Sequence, residues 1–493
     1  MRIPIDRQSD TPLYQQIESY LRQSILSGTL PPDTRLPAAR QIASDLGVSR
    51  ITVENAYASL EADGLVERRA GSGTYVLAPG ALPQARRDSR DWPLWQRDVL
   101  EVARLAAEDP AAPLVGARHP QPAAPRAAAN VISFTGFGDP RRFPVEGFYR
   151  ALKDVMRRDG VAALEFDDMQ GYGPLRATIA HVLASQGVQA RPDNVLITSG
   201  SQQALALVAQ ILLRPGDAVL VESPTYDGAL DLFRSHQLRL IGCPTDAHGM
   251  QVEQLEPLLQ QHHPRLIYTI PNFQNPTGAC LSLPRRRQLI ALADCYNIPV
   301  LEDDFVGDLR YEGRVQPALK ALDPGGRVIY IGTFSKLLMP GLRVGFLVAE
   351  GPIFGLLARL KRVNDLVTST LTQRALEEYV TVGRYQAHVR RSCQVYRRRR
   401  DAALEAIGRH LPGAEVTSPQ GGLFVWVRLP EGASSVRLLP LAAEEGVEYA
   451  PGPRFFPQPA EGEPYLRLNF AVRTPEEIEE GVRRLGRALR RLR

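Results

Sequence analysis

From Val131 onward the chain repeats one pattern: a short, mainly apolar run followed by a longer stretch of helical period. The runs are VLIT (195–198), AVLVE (218–222), RLIYTI (265–270), IPVLED (298–303) and VIYIGT (328–333). A strand that faces water on one side alternates apolar with polar residues, whereas these runs are apolar at successive positions, with their polar residues gathered toward the ends. They must therefore be covered on both faces, which a mostly parallel sheet wrapped by helices achieves. The C-terminal stretch reads as helices around a few strands, GLFVWVRL and YLRLNF among them, and predicts a second, smaller α/β subdomain. No internal repeat is visible.

The N-terminal stretch obeys a different rule. Leu13, Ile17, Leu21 and Ile25 recur at i+4 and predict one amphipathic helix, stopped by Gly28 and Pro31–Pro32. Ala39, Ile42, Ala43 and Leu46 form the apolar face of a second, short helix. Gly47–Val48 turns the chain, Ser49 is a good N-cap, and Val53, Ala56, Tyr57 and Leu60 mark a third helix ending near Asp63–Gly64. LVERR and GTYV, separated by Ala70–Gly71–Ser72, read as a hairpin. Between the two patterns alanine, proline and arginine dominate, a composition suited to a linker, with a short helix expected over 92–107. The expected organisation is thus 1–78 for the helical head, 79–130 for the linker and 131–493 for the α/β domain.

Composition narrows the setting. No apolar run approaches the ~18–20 residues needed to cross a bilayer, and the N-terminus lacks the apolar core of a signal peptide. Cys243, Cys280, Cys295 and Cys393 are scattered without a CxxC pair, which argues against a zinc or disulfide framework and predicts a cytoplasmic protein with no metal. The net charge of +5 is weak evidence for nucleic acid, because the first 77 residues hold eight arginines against nine acidic residues. Of 59 basic residues only four are lysine: Lys153, Lys320, Lys336 and Lys361. A retained lysine is informative here, because arginine cannot do amine chemistry.

In a turn-linked helix pair the second helix enters the major groove and its N-terminal residues reach base edges. Here that end reads Ser49–Arg50–Ile51–Thr52, placing Arg50 and Thr52 toward DNA. Arg35 and Arg40 are available to phosphates, and Gly73 lets the hairpin turn approach the backbone. On pattern alone, a small helical domain with surface arginines competes with this reading. The segment LPPDTRLPAARQIASDLGVSRITVENAYASLEADGLVERRAGSGTYV, however, closely resembles the winged helix-turn-helix of the GntR family, through its RLP-x-x-R, LGVSR-x-TV, AY-x-x-L and GSGTYV elements. The resemblance implies contacts to double-stranded DNA by Arg35, Arg40, Arg50, Thr52 and Gly73. Where the family often has serines before the second helix this chain has Ala38–Ala39, so one cap is expected to be missing.

The α/β domain carries its own chemistry. Lys336, in YIGTFSKLLMPGLRVGF, follows an expected strand. Thr333 and Ser335 offer hydroxyls, and Pro340–Gly341 turns the chain so that Arg343 can serve the same pocket as a bidentate phosphate donor. Alone, a Ser–Lys dipeptide is ordinary surface. The combination suits a Schiff-base lysine beside a phosphate. TSGSQQAL opens a helix after a strand, and the backbone N–H groups of Gly200, Ser201 and Gln202 would aim at an anion. VLEDDF ends a strand in carboxylates, of which Asp303 is the candidate acid for a pyridinium nitrogen. Asn275 in PNFQNPTG could donate to a ring oxygen, Tyr226 in SPTY could stack on the ring, and Arg467 in YLRLNF could pair with an amino-acid carboxylate.

The order and spacing of GSQQ, SPTY, NPTG, EDD and SK-x-x-x-PGLR-x-G resemble the fold-type-I aminotransferases across 131–493. Together with the head, the chain resembles the MocR subgroup of GntR regulators. The resemblance implies a fold of large and small subdomains, pyridoxal 5′-phosphate as cofactor and an internal aldimine at Lys336. It further implies a head-to-tail homodimer and an amino acid, amine or B6 vitamer as effector. Two positions depart from the family: Phe305 stands where a tyrosine usually meets the cofactor oxygen, and Phe166 where a phosphate-binding tyrosine is usual. Each removes a hydroxyl, at ~1.5–3 kcal/mol for a bond to a charged group, and this bears more on efficient transamination than on cofactor binding. Three functions follow as alternatives: a ligand-sensing regulator, a working aminotransferase with an appended DNA-binding head, or a structural dimer with a decayed pocket. The basic run Arg397–Arg400 reads as a solvated helix face.

Overall fold

The computed structural model describes residues 3–6, 12–62, 65–69, 72–77, 131–136, 138–184, 187–334 and 336–492. The expected linker and its helix over 92–107 lie outside the described residues. The chain divides into two compact units, residues 1–104 and 105–493.

In the first unit, α1 (Leu13–Leu26), α2 (Ala39–Leu46) and α3 (Arg50–Ala62) precede an antiparallel hairpin of β1 (Val66–Arg69) and β2 (Gly73–Val76). The i+4 row of α1 supplies Ile17, Leu21 and Ile25 to a core completed by Ile42, Val53, Tyr57, Leu60, Val66 and Val76. Each such fully buried side chain contributes ~1.5–3 kcal/mol, which lets so small a unit hold together. Gly47 closes α2 in the left-handed region at φ +62°. Ser49 Oγ accepts the Thr52 N–H at 3.2 Å and so caps α3. Ala38 occupies the N-cap of α2 with no side-chain bond, the missing cap read in the sequence.

In the second unit, β3 (Ile132–Ser133) lies apart from a large sheet. That sheet is built from β4 (Val195–Thr198), β5 (Ala218–Ser223), β6 (Arg239–Asp246), β7 (Gly249–Met250), β8 (Leu266–Thr269), β9 (Val300–Asp304), β10 (Val328–Thr333) and β11 (Gly345–Val348). Their order is β4-β11-β10-β9-β8-β5-β6-β7. The run β10-β9-β8-β5-β6 is parallel, while β11 is antiparallel to both neighbours. The five apolar runs of the sequence are five of these strands, buried on both faces as their composition requires. The smaller subdomain carries an antiparallel sheet of β12 (Glu415–Val416), β13 (Phe424–Arg428), β15 (Ala450–Pro451) and β16 (Tyr465–Asn469), while β14 (Val447–Glu448) pairs with β3.

Because β11 runs against both β4 and β10, the strands β4, β5, β8, β9 and β10 end at one edge of the large sheet. Each ends on a polar residue: Thr198, Ser223, Thr269, Asp304 and Thr333. The segments leaving that edge carry TSGS, SPTY, NPTG and Lys336, so one crevice collects them, as is general for sheets of this type.

One expectation is corrected. The run Arg397–Arg400 lies on the helix Arg384–His410, but Arg399 and Arg400 are each only 5% exposed. Arg399 Nη2 meets Asp139 Oδ2 at 2.8 Å, and Arg400 Nη2 meets Glu312 Oε1 at 2.7 Å. Half of the run is thus buried and ion-paired, because the helix packs that face inward. Among the described residues no helix is long and apolar enough to cross a membrane.

Candidate functional site

Strand β9 sorts its three carboxylates by the two-residue period of a strand. Glu302 and Asp304 point one way. Glu302 accepts the N–H groups of Leu319 and Lys320, each at 2.8 Å, and Asp304 accepts the Tyr330 hydroxyl at 2.8 Å. Asp303 points the other way. Tyr268 donates to its Oδ2 at 2.9 Å, and its Oδ1 is buried with no hydrogen-bond partner. Burial pushes Asp303 up to about 7, against the opposing Tyr268 bond. A buried acceptor left unsatisfied costs ~1–3 kcal/mol. A cationic ring N–H placed there would satisfy the atom and draw the carboxyl back to its charged form.

Lys336 follows β10 in the crevice. Desolvation, and then the positive charges of Arg343 and Arg467, bring its amine down to about 7, while Asp227 and Asp303 oppose the shift. Only the neutral amine is a nucleophile. An ordinary lysine would gain reactivity up to pH ~10.4. Capture of pyridoxal phosphate by the apoprotein should instead rise with pH to a half-maximum near 7 and then level. Stopped-flow rates between pH 5.5 and 9.5 check this, and a rate still climbing above pH 9 would contradict it.

An anion cradle adjoins the lysine. Gly200 precedes the helix Ser201–Leu212 at φ +96°, and no side chain caps that helix. Arg343, itself left-handed at φ +50°, donates from Nη2 to the Ser199 carbonyl at 3.0 Å. A Cβ at position 200 would lie 2.6 Å from Arg343 Nη2, and one at 345 would lie 2.7 Å from the Gly200 carbonyl carbon. Glycines at both places let a guanidinium and an open helix N-terminus face one spot, a geometry suited to phosphate. The Gln202 side chain is otherwise engaged: Nε2 donates to the Gly228 carbonyl at 2.9 Å, and Oε1 accepts the Tyr226 hydroxyl at 3.4 Å. It offers the cradle its backbone and holds the Tyr226 ring. The Thr333 hydroxyl donates to the Val344 carbonyl at 3.3 Å. Ser335 lies outside the described residues.

Arg467, on β16, is 5% exposed and sits between the rings of Phe424 and Phe455, at 4.2 and 4.8 Å from their centroids. Its Nη1 donates to Asn275 Oδ1 at 2.7 Å, and its Nε has no partner. Burial brings it down to about 10. The fork is flanked by aromatic faces, and the bond to Arg467 engages the Asn275 carbonyl oxygen, not its NH₂. Phe305 stacks on Phe424, centroids 6.3 Å apart and planes 20° apart. The Phe305 ring therefore buttresses the arginine's support. Phe166, 82% exposed, is not drawn into the crevice of its own chain.

Sequence reasoning missed Tyr268, Phe424, Phe455 and Asp227. Tyr268 had a signal, since a phenol inside a fully apolar strand must find a buried partner.

In the N-terminal unit Arg35, Arg40 and Arg50 are exposed and Thr52 is half-buried. Arg35 lies against the hairpin, where a Cβ on Gly73 would come within 2.8 Å of its Nε. Arg50 Nε is paired with Glu54 at 2.7 Å, one turn along α3.

A three-helix head with a hairpin wing, joined to a crevice holding a lysine, a phosphate cradle and an orphaned acid, defines a DNA-binding module fused to a pyridoxal-phosphate-binding domain. Comparison with known proteins agrees in both parts. Residues 13–76 match the model for bacterial regulatory proteins of the gntR family, and residues 135–485 that for aminotransferase class I and II. The chain is 32% identical to the probable rhizopine catabolism regulatory protein MocR of Rhizobium meliloti, over 98% of this chain and 95% of that protein. It is 38% identical to aromatic-amino-acid aminotransferase 1 of Thermococcus litoralis, over 73% of this chain and 88% of that enzyme. Among solved structures, the α-aminoadipate aminotransferase LysN of Thermus thermophilus, complexed with N-(5′-phosphopyridoxyl)-L-leucine, is 40% identical. It superimposes with a TM-score of 0.69, covering 73% of this chain and 92% of its own. The chain belongs to the MocR group of GntR-family regulators, and its aminotransferase-like domain is of the pyridoxal-phosphate-dependent kind.

Proposed function

We propose that the protein is a transcription regulator that senses an amino acid, an amine or a B6 vitamer by amine exchange at Lys336 Nζ and reports it to operator DNA. Bound pyridoxal phosphate supplies an aldehyde carbon that a primary amine can capture, and an electron-withdrawing ring. The residues do the rest. Gly200, Ser201, Gln202, Thr333 and Arg343 hold the phosphate end, to which the sequence also offers the Ser335 hydroxyl. Asp303 takes the ring nitrogen, Tyr226 covers a ring face, Asn275 meets the ring oxygen, and Arg467 receives the ligand carboxylate. In the head, Arg50 and Thr52 read bases while Arg35, Arg40 and the turn at Gly73 track the backbone. The boundaries 1–78, 79–130 and 131–493 and a cytoplasmic setting belong to this reading.

The observation that carries it is the unpartnered, buried Oδ1 of Asp303 beside a lysine whose amine is near neutrality, in a chain that also carries a reading head. Val161, Leu164 and Phe166 are 72, 62 and 82% exposed, an apolar stretch suited to a second copy in a head-to-tail dimer. A ligand that binds the two forms of such a dimer unequally shifts the spacing of its heads.

The test is electrophoretic binding to DNA flanking the gene, with pyridoxal phosphate and a panel of amino acids and amines. A specific shift altered by one ligand supports the reading, and indifference to all flanking DNA ends it. A second reading, an active aminotransferase with an appended head, is favoured by the rigid Arg467–Asn275 pair. Multiple turnovers with a 2-oxo acid would support it, and arrest after a half-reaction would count against it.

A further inference from the structure

The phosphate cradle rests on a partly buried support outside the pocket. The helix Pro352–Asp365 ends on Asp365, and its Lys361 is fully buried. Lys361 Nζ donates to Asp365 Oδ1 at 2.9 Å. Asp365 Oδ2 accepts twice, from Ser199 Oγ at 3.2 Å and from Gln203 Nε2 at 2.9 Å. Gln203 Oε1 in turn accepts the Ser199 backbone N–H at 2.7 Å. Ser199 is thereby held by its hydroxyl directly and by its N–H through Gln203. Its carbonyl is the acceptor on which Arg343 Nη2 rests.

Two costs fall at the same place. Lys361 is buried while Asp365 stays partly exposed, so the pair carries the cost of taking the ammonium out of water. The next residue, Leu366, is held at φ +59°, ψ −70°, a region leucine disfavours. The fold carries both where one carboxylate touches the loop before Gly200.

We infer that Asp365, fixed by Lys361, is a positioning residue that pre-organises the Ser199–Gly200 loop and Arg343 for a phosphate dianion. It touches no part of the cofactor and acts through Ser199 and Gln203. The inference rests on the reading that the phosphate lies between Gly200 and Arg343. A loop held in place beforehand spends less binding energy on ordering itself, so the effect belongs to the phosphate half of the ligand alone.

That separation gives the test. Dissociation constants for pyridoxal phosphate and for pyridoxal, which lacks the phosphate, are measured on the full-length wild type and on Asp365→Asn. Inorganic phosphate serves as competitor in each titration. The preference for pyridoxal phosphate should fall on the order of 10-fold in Asp365→Asn, with inorganic phosphate competing correspondingly less well and pyridoxal affinity unchanged. Equal weakening of both ligands would mean a merely structural role and overturn the inference, as would an unchanged preference. Arg343→Ala separates the two failures. If it leaves the preference intact, the phosphate lies elsewhere and the cradle reading fails. If it abolishes the preference while Asp365→Asn does not change it, the positioning role alone fails. Should Asp365→Asn not fold, Ser199→Ala removes one of the two ties with no buried charge left unpaired, and the same drop in preference, smaller in size, is expected. Native preference in that variant would overturn the inference.

Discussion

Lys336→Ala should reduce borohydride-trapped pyridoxyl adduct from one per chain to none and abolish every ligand response of DNA binding, while basal DNA binding stays. The argument is chemical selectivity among four amines. Lys361 is fully buried and paired with Asp365 at 2.9 Å, and Lys320 is 6% exposed with Glu350 at 3.7 Å. Lys153 lies on the helix Val145–Asp159. Only Lys336 combines the crevice, the phosphate cradle and an amine brought down to about 7 by desolvation and two guanidinium groups. Arginine cannot replace it, because a guanidinium keeps its proton. Basal DNA binding is expected to survive because the described core of the head, centred on Ile17, Leu21, Val53 and Leu60, is drawn from residues 3–76 and holds no part of the Lys336 site. Peptide mass spectrometry after reduction, with a gel-shift series beside it, reads both halves. A pyridoxyl group on another lysine, or ligand-dependent binding that persists in the variant, would refute the sensing account.

The fold was legible wherever burial was two-sided. Runs such as VLIT and VIYIGT admit no exposed face, so their strand character and helical cover follow from composition. The ends of those strands were legible too, because polar residues abruptly follow apolar ones at Thr198, Asp303 and Thr333. Strand order was not legible. That β11 inserts antiparallel between β4 and β10 depends on a long-range pairing that no local pattern encodes. Lys336, Asp303 and Arg467 stood out in the sequence by chemical type, and the structure finds all three buried and shifted from their ordinary protonation. The site was opaque where function is delegated to packing: Phe424 and Phe455 look like core residues, yet they flank the arginine fork. Lysine scarcity carried more than one meaning, since it marked Lys361 as strongly as Lys336, and Lys361 supports the loop beneath the phosphate cradle. The basic run at 397–400 failed because charge alone does not tell a solvated face from an ion-paired one, and Arg399 finds Asp139 some 260 positions away.

Asp303→Asn should cost ~10–100-fold in affinity for pyridoxal phosphate, the ~1.5–3 kcal/mol of one hydrogen bond to a charged partner, yet leave Lys336 able to form the trapped adduct. Asparagine keeps the shape and still accepts from Tyr268 with its carbonyl oxygen. Its NH₂ then occupies the place of the orphaned Oδ1, where wild type presents a lone pair. With a donor there in place of an acceptor, position 303 would no longer hold a proton on a ring nitrogen opposite it, and the electron-withdrawing character that the proton would lend the ring would be lost. Adduct formation depends on Lys336 and the phosphate cradle, and persists. Proton exchange at the α-carbon of a bound amino acid depends on the ring's positive charge, and falls further than affinity does. Deuterium incorporation measured beside equilibrium binding separates the two. Unchanged exchange with weakened binding would mean that Asp303 serves only as a contact, and unchanged binding would mean that the ring nitrogen is not on β9 at all. The same split bears on function, because a sensor needs only the adduct whereas a working transaminase needs the proton transfer. A variant that keeps its ligand-dependent DNA response while losing α-proton exchange would place the biological role in amine capture.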